Sequence, residues 1–398
     1  MLFHHRESPV LLAAAHACAD LCQGAIPALL PTLLIQRHLS YTTAAGLILA
    51  TNSVSSIIQP LFGHYADRLR APWLMPTGLL IAGSGLALAS LFSQYWLIAC
   101  CMALSGTGIA AFHPEAARLM HEIAGKRKGI YMSIFSFGGN IGFALGPLAI
   151  TALLLFFGLK GTTALLLPLL AMALLLFCVF KPGSTDKNIK SRPTQDQYEP
   201  TDHWWAFVRL TGAIVCRSII FYGMNTFLAL YWIKVLHQSQ VAGGTALSVL
   251  LVAGLSGTLL GGRLADHYGR RRVVLLSLGA LFPALLLFLL LSPLNIVFAW
   301  VLLILIGICL FAPFSVMVVM GQDYLPRHVG TASGVTLGLA VTVGGIAAPL
   351  LGNAADHYGI ASALLGLAFV PIFAIGCVLT LPRERRLPRP TKDTGALA

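Results

Sequence analysis

His16 and Asp20 stand four residues apart in the otherwise apolar run Val10–Ile35. That spacing puts them on one face of a helix. An imidazole and a carboxylate so placed can share a proton, and histidine titrates near neutral pH. The plainer alternative is a static hydrogen-bonded pair that ties this helix to a neighbour. Arg217 lies in another apolar run with no acid near it in that segment. Its planar fork suits bidentate capture of phosphate or phosphonate. It could instead snorkel, or form an ion pair with Asp20 or another group. A third set, His113, Glu115 and Arg118, surrounds Pro114. Glu115 and Arg118 read as a gate or loop salt bridge, with proton release as the second reading. The proline is expected to kink or break its helix. Asn52, Gln59, Asn140, Tyr222 and Asn225 are candidate polar lining.

The elements that must hold these groups are apolar to a degree that excludes a water-facing surface. Of 398 residues, 57% are hydrophobic and 10% charged, against about 25% charged in a soluble domain. Mean hydropathy is +0.82. A helix needs roughly 20 apolar residues to cross a bilayer, and no strand alternation is visible. Twelve spans are predicted near 10–36, 41–62, 72–92, 95–121, 128–158, 161–181, 204–236, 241–262, 272–292, 295–320, 329–352 and 360–381. Asp20 is then about 16 Å into the first span, and Arg217 about 20 Å into the seventh, at 1.5 Å per residue. A charge at such depth is costly and marks a pathway more often than a scaffold. Ala15-His16-Ala17 mimics a signal-cleavage site, but the apolar stretch before it is short, so the run is kept as a span.

The net charge of +12 is explained by topology rather than by nucleic acid. With the N-terminus inside, 22 cations face the cytoplasm; only Arg37, Lys160 and Lys234 face out. That bias sets both termini in the cytoplasm. The polar segment Lys181–His203 reads as a linker. It gives an N-terminal bundle over 1–181, a linker over 182–203 and a C-terminal bundle over 204–398. The halves repeat each other: Gly63/Gly262, Gly106/Gly307 and Pro147/Pro349 are offset by 199, 201 and 202 residues. Parallel repeats of this kind fit a transporter that rocks about a midplane site. All eight cysteines fall in predicted spans, and neither a disulfide framework nor a metal site is expected. No nucleotide loop or catalytic motif appears, which argues against an enzyme, a sensor with an attached domain or an ATP-driven pump.

Gly262-Arg-Leu-Ala-Asp266-His-Tyr-Gly269-Arg270-Arg271-Arg272 resembles the loop signature of the major facilitator superfamily. Gly63-His-Tyr-Ala-Asp67-Arg68 is its shorter first-half copy. A third echo, Gly352-Asn-Ala-Ala-Asp356, falls on the outside and is expected to be a turn only. Gly138, Gly142 and Gly146-Pro147 share one face of the fifth span and resemble the antiporter signature of drug–proton exchangers. The resemblance implies that this face packs on the eighth span, at Gly257 and Gly261. His16, Asp20, Gly106-Thr-Gly108, His113-Pro114-Glu115 and Gly138-Gly139-Asn140 together resemble the fosmidomycin resistance group of bacterial efflux transporters. One departure is Met102, where drug–proton antiporters usually carry arginine.

The resemblance implies an all-α protein of two six-helix bundles in the bacterial inner membrane. It would be a monomer without cofactor, driven by the proton gradient, whose partners are lipid, protons and a small solute. Asp20, His16, His113 and Glu115 are its candidate proton groups. Arg217, Asn52, Asn140, Tyr222 and Asn225 are its candidate substrate ligands. Gly63, Asp67, Arg68, Arg118, Gly138, Gly142, Gly146, Pro147, Gly262, Asp266, Gly269, Arg270 and Arg271 are its candidate conformational residues. The direction of transport is open between export of a small drug or anionic metabolite and import or exchange of an organic anion or sugar-like solute.

Overall fold

The structure is a computed structural model that describes residues 8–69, 71–124, 128–180, 201–328, 332, 335–336 and 340–382. The linker expected over 182–203 lies outside them up to residue 200. The side chains of Gly63, Asp67 and Arg68 also lie outside what is described.

Among the described residues, twelve α-helices run in chain order. The first bundle has α1 (Ser8–Gln36), α2 (Tyr41–Leu69), α3 (Leu74–Leu91), α4 (Tyr95–Ala124), α5 (Lys128–Phe157) and α6 (Leu166–Val179), with a 3₁₀ segment, Leu159–Leu165, leading into α6. The second has α7 (Trp204–Lys234), α8 (Gln240–Tyr268), α9 (Arg270–Leu291), α10 (Ile296–Tyr324), α11 (Ala340–Tyr358) and α12 (Ile360–Leu379). Ten helices among the described residues are long and apolar enough to cross a membrane. Helices satisfy their own backbone, which lipid cannot do for them. Apolar side chains such as Leu276, Phe156 and Phe373 point outward, each at least 70% exposed, where lipid tails would meet them. α2 and α11 pack on each other across the two halves.

One face of the bundle carries the helix ends nearest the chain termini. The other, the far face, carries the connections after α1, α3, α5, α7, α9 and α11. Contacts between halves gather toward the far face. Asp356 at the end of α11 accepts hydrogen bonds from the Tyr41 amide (2.7 Å), the Thr42 amide (2.9 Å) and the Thr42 hydroxyl (2.6 Å). It thereby caps the start of α2, where unpaired N–H groups favour a carboxylate. A Cβ at Gly352 would sit 2.7 Å from the Tyr41 carbonyl oxygen, so only glycine permits that approach. Gln240 donates to Thr32 at 2.7 Å, and the Ser248 hydroxyl to the Ala144 carbonyl at 2.7 Å. The segment expected to be a turn only is therefore also a contact between the halves.

Two further expectations meet the structure. Of the kink or break expected at Pro114, α4 shows no break. The proline removes one backbone donor, but the turns on either side keep the helix together. The glycine face of α5 meets α1, not α8. Cβ atoms at Gly138 and Gly142 would lie 2.2 and 2.0 Å from the carbonyl oxygens of Ala13 and Ala17. At Gly146 a Cβ would lie 2.6 Å from both the Leu21 oxygen and the Ala25 nitrogen. Gly257 and Gly261 of α8 make the matching approach to Ile308 and Ala312 of α10. Small residues let helices touch backbone to backbone, but their spacing does not say which helix they touch.

At the terminal face, Gly269 closes α8 with φ 94°, a conformation that favours glycine. Arg270 pairs with Asp323 of α10. Arg271 donates to the last carbonyls of α12, Val378 at 3.1 Å and Leu379 at 2.7 Å, complementing that helix end. Asp266 and Gly262 stand nearby, with Asp266 exposed. Just before α7, Asp202 accepts from the Arg327 amide at 3.0 Å and lies 2.6 Å from the His328 ring.

Candidate functional site

Three titratable groups converge where α1, α4 and α5 meet. His16 Nε2 lies 3.2 Å from Asp20 Oδ2, and His113 Nε2 lies 3.0 Å from Asp20 Oδ1. The one-turn spacing on α1 sets the first contact, and α4 supplies the second. Each ring is also fixed from behind: His16 Nδ1 is 2.8 Å from the Phe135 carbonyl oxygen and His113 Nδ1 is 2.8 Å from that of Ile109. The His16 ring stacks on Phe135 at 4.1 Å between centroids. α5 can come this close because position 139 is glycine. A Cβ there would lie 2.5 Å from His16 Nε2 and 2.6 Å from Asp20 Oδ2. The nearest ligand atoms of the three residues lie within 4.8 Å of one another, a spacing at which one metal ion could also touch all three. Two residues beyond His113 on α4, the fully buried Glu115 pairs with Arg118, Oε2 to Nε at 3.0 Å.

Arg217 is buried on α7, and its surroundings are aromatic rather than acidic. Nε donates to the Leu310 carbonyl at 2.8 Å. The guanidinium carbon lies 4.5 Å from the Phe314 centroid, 5.4 Å from that of Phe311 and 5.7 Å from that of Phe221. Desolvated cation–π contacts are worth about 2 kcal/mol, so the rings hold a cation that burial would otherwise expel. Asp20 is engaged by the two histidines, and no acid is paired with Arg217 among the described residues.

The two clusters occupy equivalent places in the repeat. Arg217, Phe221 and Phe314 each follow His16, Asp20 and His113 by 201 residues, the offset already seen for Gly106 and Gly307. That offset was legible in the sequence and would have placed Phe314 beside Arg217, as His113 is beside His16.

Between the halves lies a small pocket lined by Gln23, Ile26, Pro27, Ile48, Thr51, Asn52, Phe143, Tyr222 and Asn225. Gln23 is one turn beyond Asp20 on α1, and Tyr222 just over one turn beyond Arg217 on α7, so the pocket lies farther toward the far face than either cluster. Gln23 donates to Asn52 at 3.4 Å. Of the expected ligands, Asn52, Tyr222 and Asn225 line this space. Asn140 is exposed on α5 and is not among the lining residues. The sequence reading did not single out Gln23, Thr51 or Phe143.

Two six-helix bundles with the same orientation, a buried ionisable group in each and a pocket between them are the architecture of a solute transporter. A family model described as Major Facilitator Superfamily matches residues 12–349, and the chain belongs to that family. It is a multi-pass membrane protein. It is 32% identical to YfnC, an MFS-type transporter of Bacillus subtilis (strain 168), over 95% of this chain and 93% of that one. It is 29% identical to the fosmidomycin resistance protein of Escherichia coli (strain K12), over 94% and 92% of the two chains. Its fold matches that of a bacterial homologue of the human lysosomal transporter Spinster, in an inward-facing and occupied conformation. The TM-score is 0.79 and the identity 15%, over 93% of this chain and 95% of the other.

Proposed function

We propose that this chain is a proton-coupled exporter of a small drug or anionic metabolite, such as a phosphonate, working by alternating access. The observation that carries the reading is the pair of buried clusters at equivalent positions. One can change its protonation; the other holds a permanent cation without an acid. Arg217 would attract the anion, and Gln23, Asn52, Tyr222 and Asn225 would bond its polar groups. Asp20, with His16 and His113, would take up and release protons, with Glu115 as a relay toward the terminal face. The relative named for fosmidomycin resistance supports a small drug as cargo.

In this reading the protein sits in a bacterial inner membrane as a monomer with both termini in the cytoplasm. Its partners are lipid, protons and the solute; it has no cofactor and binds no nucleic acid. The far face then points outward, and the contacts made there by Asp356 and Gly352 belong to a state closed to the outside. The amides in the pocket favour a second reading, import or exchange of a hydroxyl-rich, sugar-like solute.

The test is flux in proteoliposomes under an imposed pH gradient, with a labelled phosphonate and a labelled hexose phosphate as probes. Uphill movement of the phosphonate against protons supports the first reading. Downhill exchange of the hexose phosphate that ignores the gradient supports the second. Reporter fusions after Lys190 and after Ala398 should both report cytoplasm; a periplasmic signal at either would remove the assigned sidedness.

A further inference from the structure

The geometry of the His16–Asp20–His113 cluster points to a count: we infer that it carries two exchangeable protons in this conformation. The inference rests on the proposed proton role of the cluster and adds the number of protons involved.

The argument is one of donors and acceptors. A main-chain carbonyl can only accept a hydrogen bond. Each Nδ1 faces such a carbonyl at 2.8 Å, so each Nδ1 bears its hydrogen. In a neutral imidazole the other nitrogen is then a bare lone pair. Yet His113 Nε2 bonds one oxygen of a single carboxylate at 3.0 Å, and His16 Nε2 lies 3.2 Å from the other. An ionised carboxylate also only accepts. Both contacts would be acceptor against acceptor unless a proton lies in each.

Two protons beyond those on Nδ1 satisfy both contacts. A carboxyl group takes one proton, so at least one of the pair resides on a ring. With both on the rings, or with one on Asp20 and one on a ring, the cluster carries a net charge of one positive unit. Stripped of both protons it carries one negative unit. The protons thus belong to the cluster and not to a single residue.

Among the described residues, no other ionisable group joins the two contacts. On α4 the nearest acid, Glu115, is held by Arg118. On α1, Cys18 and Cys22 flank Asp20 in sequence. α5 contributes the Phe135 carbonyl and the bare backbone of Gly139. On α7, Arg217 is held by Leu310 and its phenylalanines.

The test is NMR of the full chain in lipid nanodiscs, with histidine labelled in ¹⁵N and the Asp20 carboxyl in ¹³C, titrated from alkaline to acid pH. Couplings across the Nδ1–H···O=C bonds assign the rings without substitution. Carbonyl-labelled phenylalanine identifies His16, and carbonyl-labelled isoleucine identifies His113. The expected result is Nδ1–H on both rings throughout and uptake of two protons across the two Nε2–carboxylate contacts. Uptake of a single proton would overturn the inference, as would a bare Nδ1 on either ring. So would an Nε2 signal that shifts with EDTA, since a bound cation would then join the three groups. If two protons are taken up but a pH gradient drives no flux, the count stands and the coupling role fails. If the gradient drives flux and only one proton is taken up, the coupling role stands and the count fails.

Discussion

His16, Asp20 and His113 in the first half and Arg217, Phe221 and Phe314 in the second share one frame, 201 residues apart. In the first half the three positions hold an acid between two bases. In the second, the acid and one base are replaced by phenylalanine and the other base by arginine. The first set can change its charge by binding protons. The second cannot at physiological pH, because a guanidinium keeps its proton. A repeated scaffold therefore fixes where ionisable chemistry is placed, while three side chains decide whether that place can change its charge.

The largest break in this comparison should come from Asp20→Asn. It leaves the fold of α1 intact but removes the charge that the histidines share. Uphill flux driven by a pH gradient should fall to the level of empty vesicles while downhill exchange of the phosphonate persists. Retained uphill flux would move the proton role elsewhere. Arg217→Gln should do the reverse. Losing a buried charged partner costs about 2–5 kcal/mol, so anion binding should weaken about 30-fold or more. Arg217→Lys should restore only part of it, because lysine lacks the planar fork. If both single variants instead lose thermal stability equally and the double variant regains it, the two groups are a structural pair and the contrast between the halves fails.

Gly142→Leu tests whether the first cluster depends on its seam. With only 2.0 Å between a Cβ and the Ala17 oxygen, α1 and α5 must separate, and overpacking of this kind costs about 1–3 kcal/mol or more. Transport should collapse while the protein still inserts, and the His16 ring should lose its Phe135 partner. Normal flux would show that the seam is dispensable. The smallest effect is expected at the far face. Asp356→Asn keeps the shape but weakens charge-assisted bonds to α2. A loss of about 1 kcal/mol would shift the balance of states about fivefold toward opening of that face. Spin-label distances between the α1–α2 and α11–α12 connections would report it, and an unchanged distribution would count against a latch.

Much of the architecture was legible because lipid leaves few choices. A long run with few charges has to be a helix, and the constant offset reveals the repeat. The pairing of His16 with Asp20 followed from helical periodicity alone. What stayed hidden was lateral: which helix a glycine face meets, and which rings surround a lone cation. Phe221, Phe311 and Phe314 look in sequence like lipid-facing bulk. The α5 glycines fit any small-residue partner, and only the packed bundle selects α1. At Pro114 α4 is not broken, since a proline removes one donor without dissolving the turns around it. The Asp356 echo falls on the outside and so reads as a turn only, and nothing in its sequence shows that α2 docks on it.

The glycine seam has a mechanical consequence. Backbone against backbone, without compliant side chains between, α1 and α5 act as one stiff beam about 45 Å long at 1.5 Å per residue. A tilt of about 10° about its middle carries each end through about 4 Å, a lever arm set by that helical rise. His16 and Asp20 are fixed to this beam through Phe135 and Gly139, so they travel with it. Their third partner, His113, stands on α4, so the Asp20–His113 contact survives the tilt only if α4 moves with the beam.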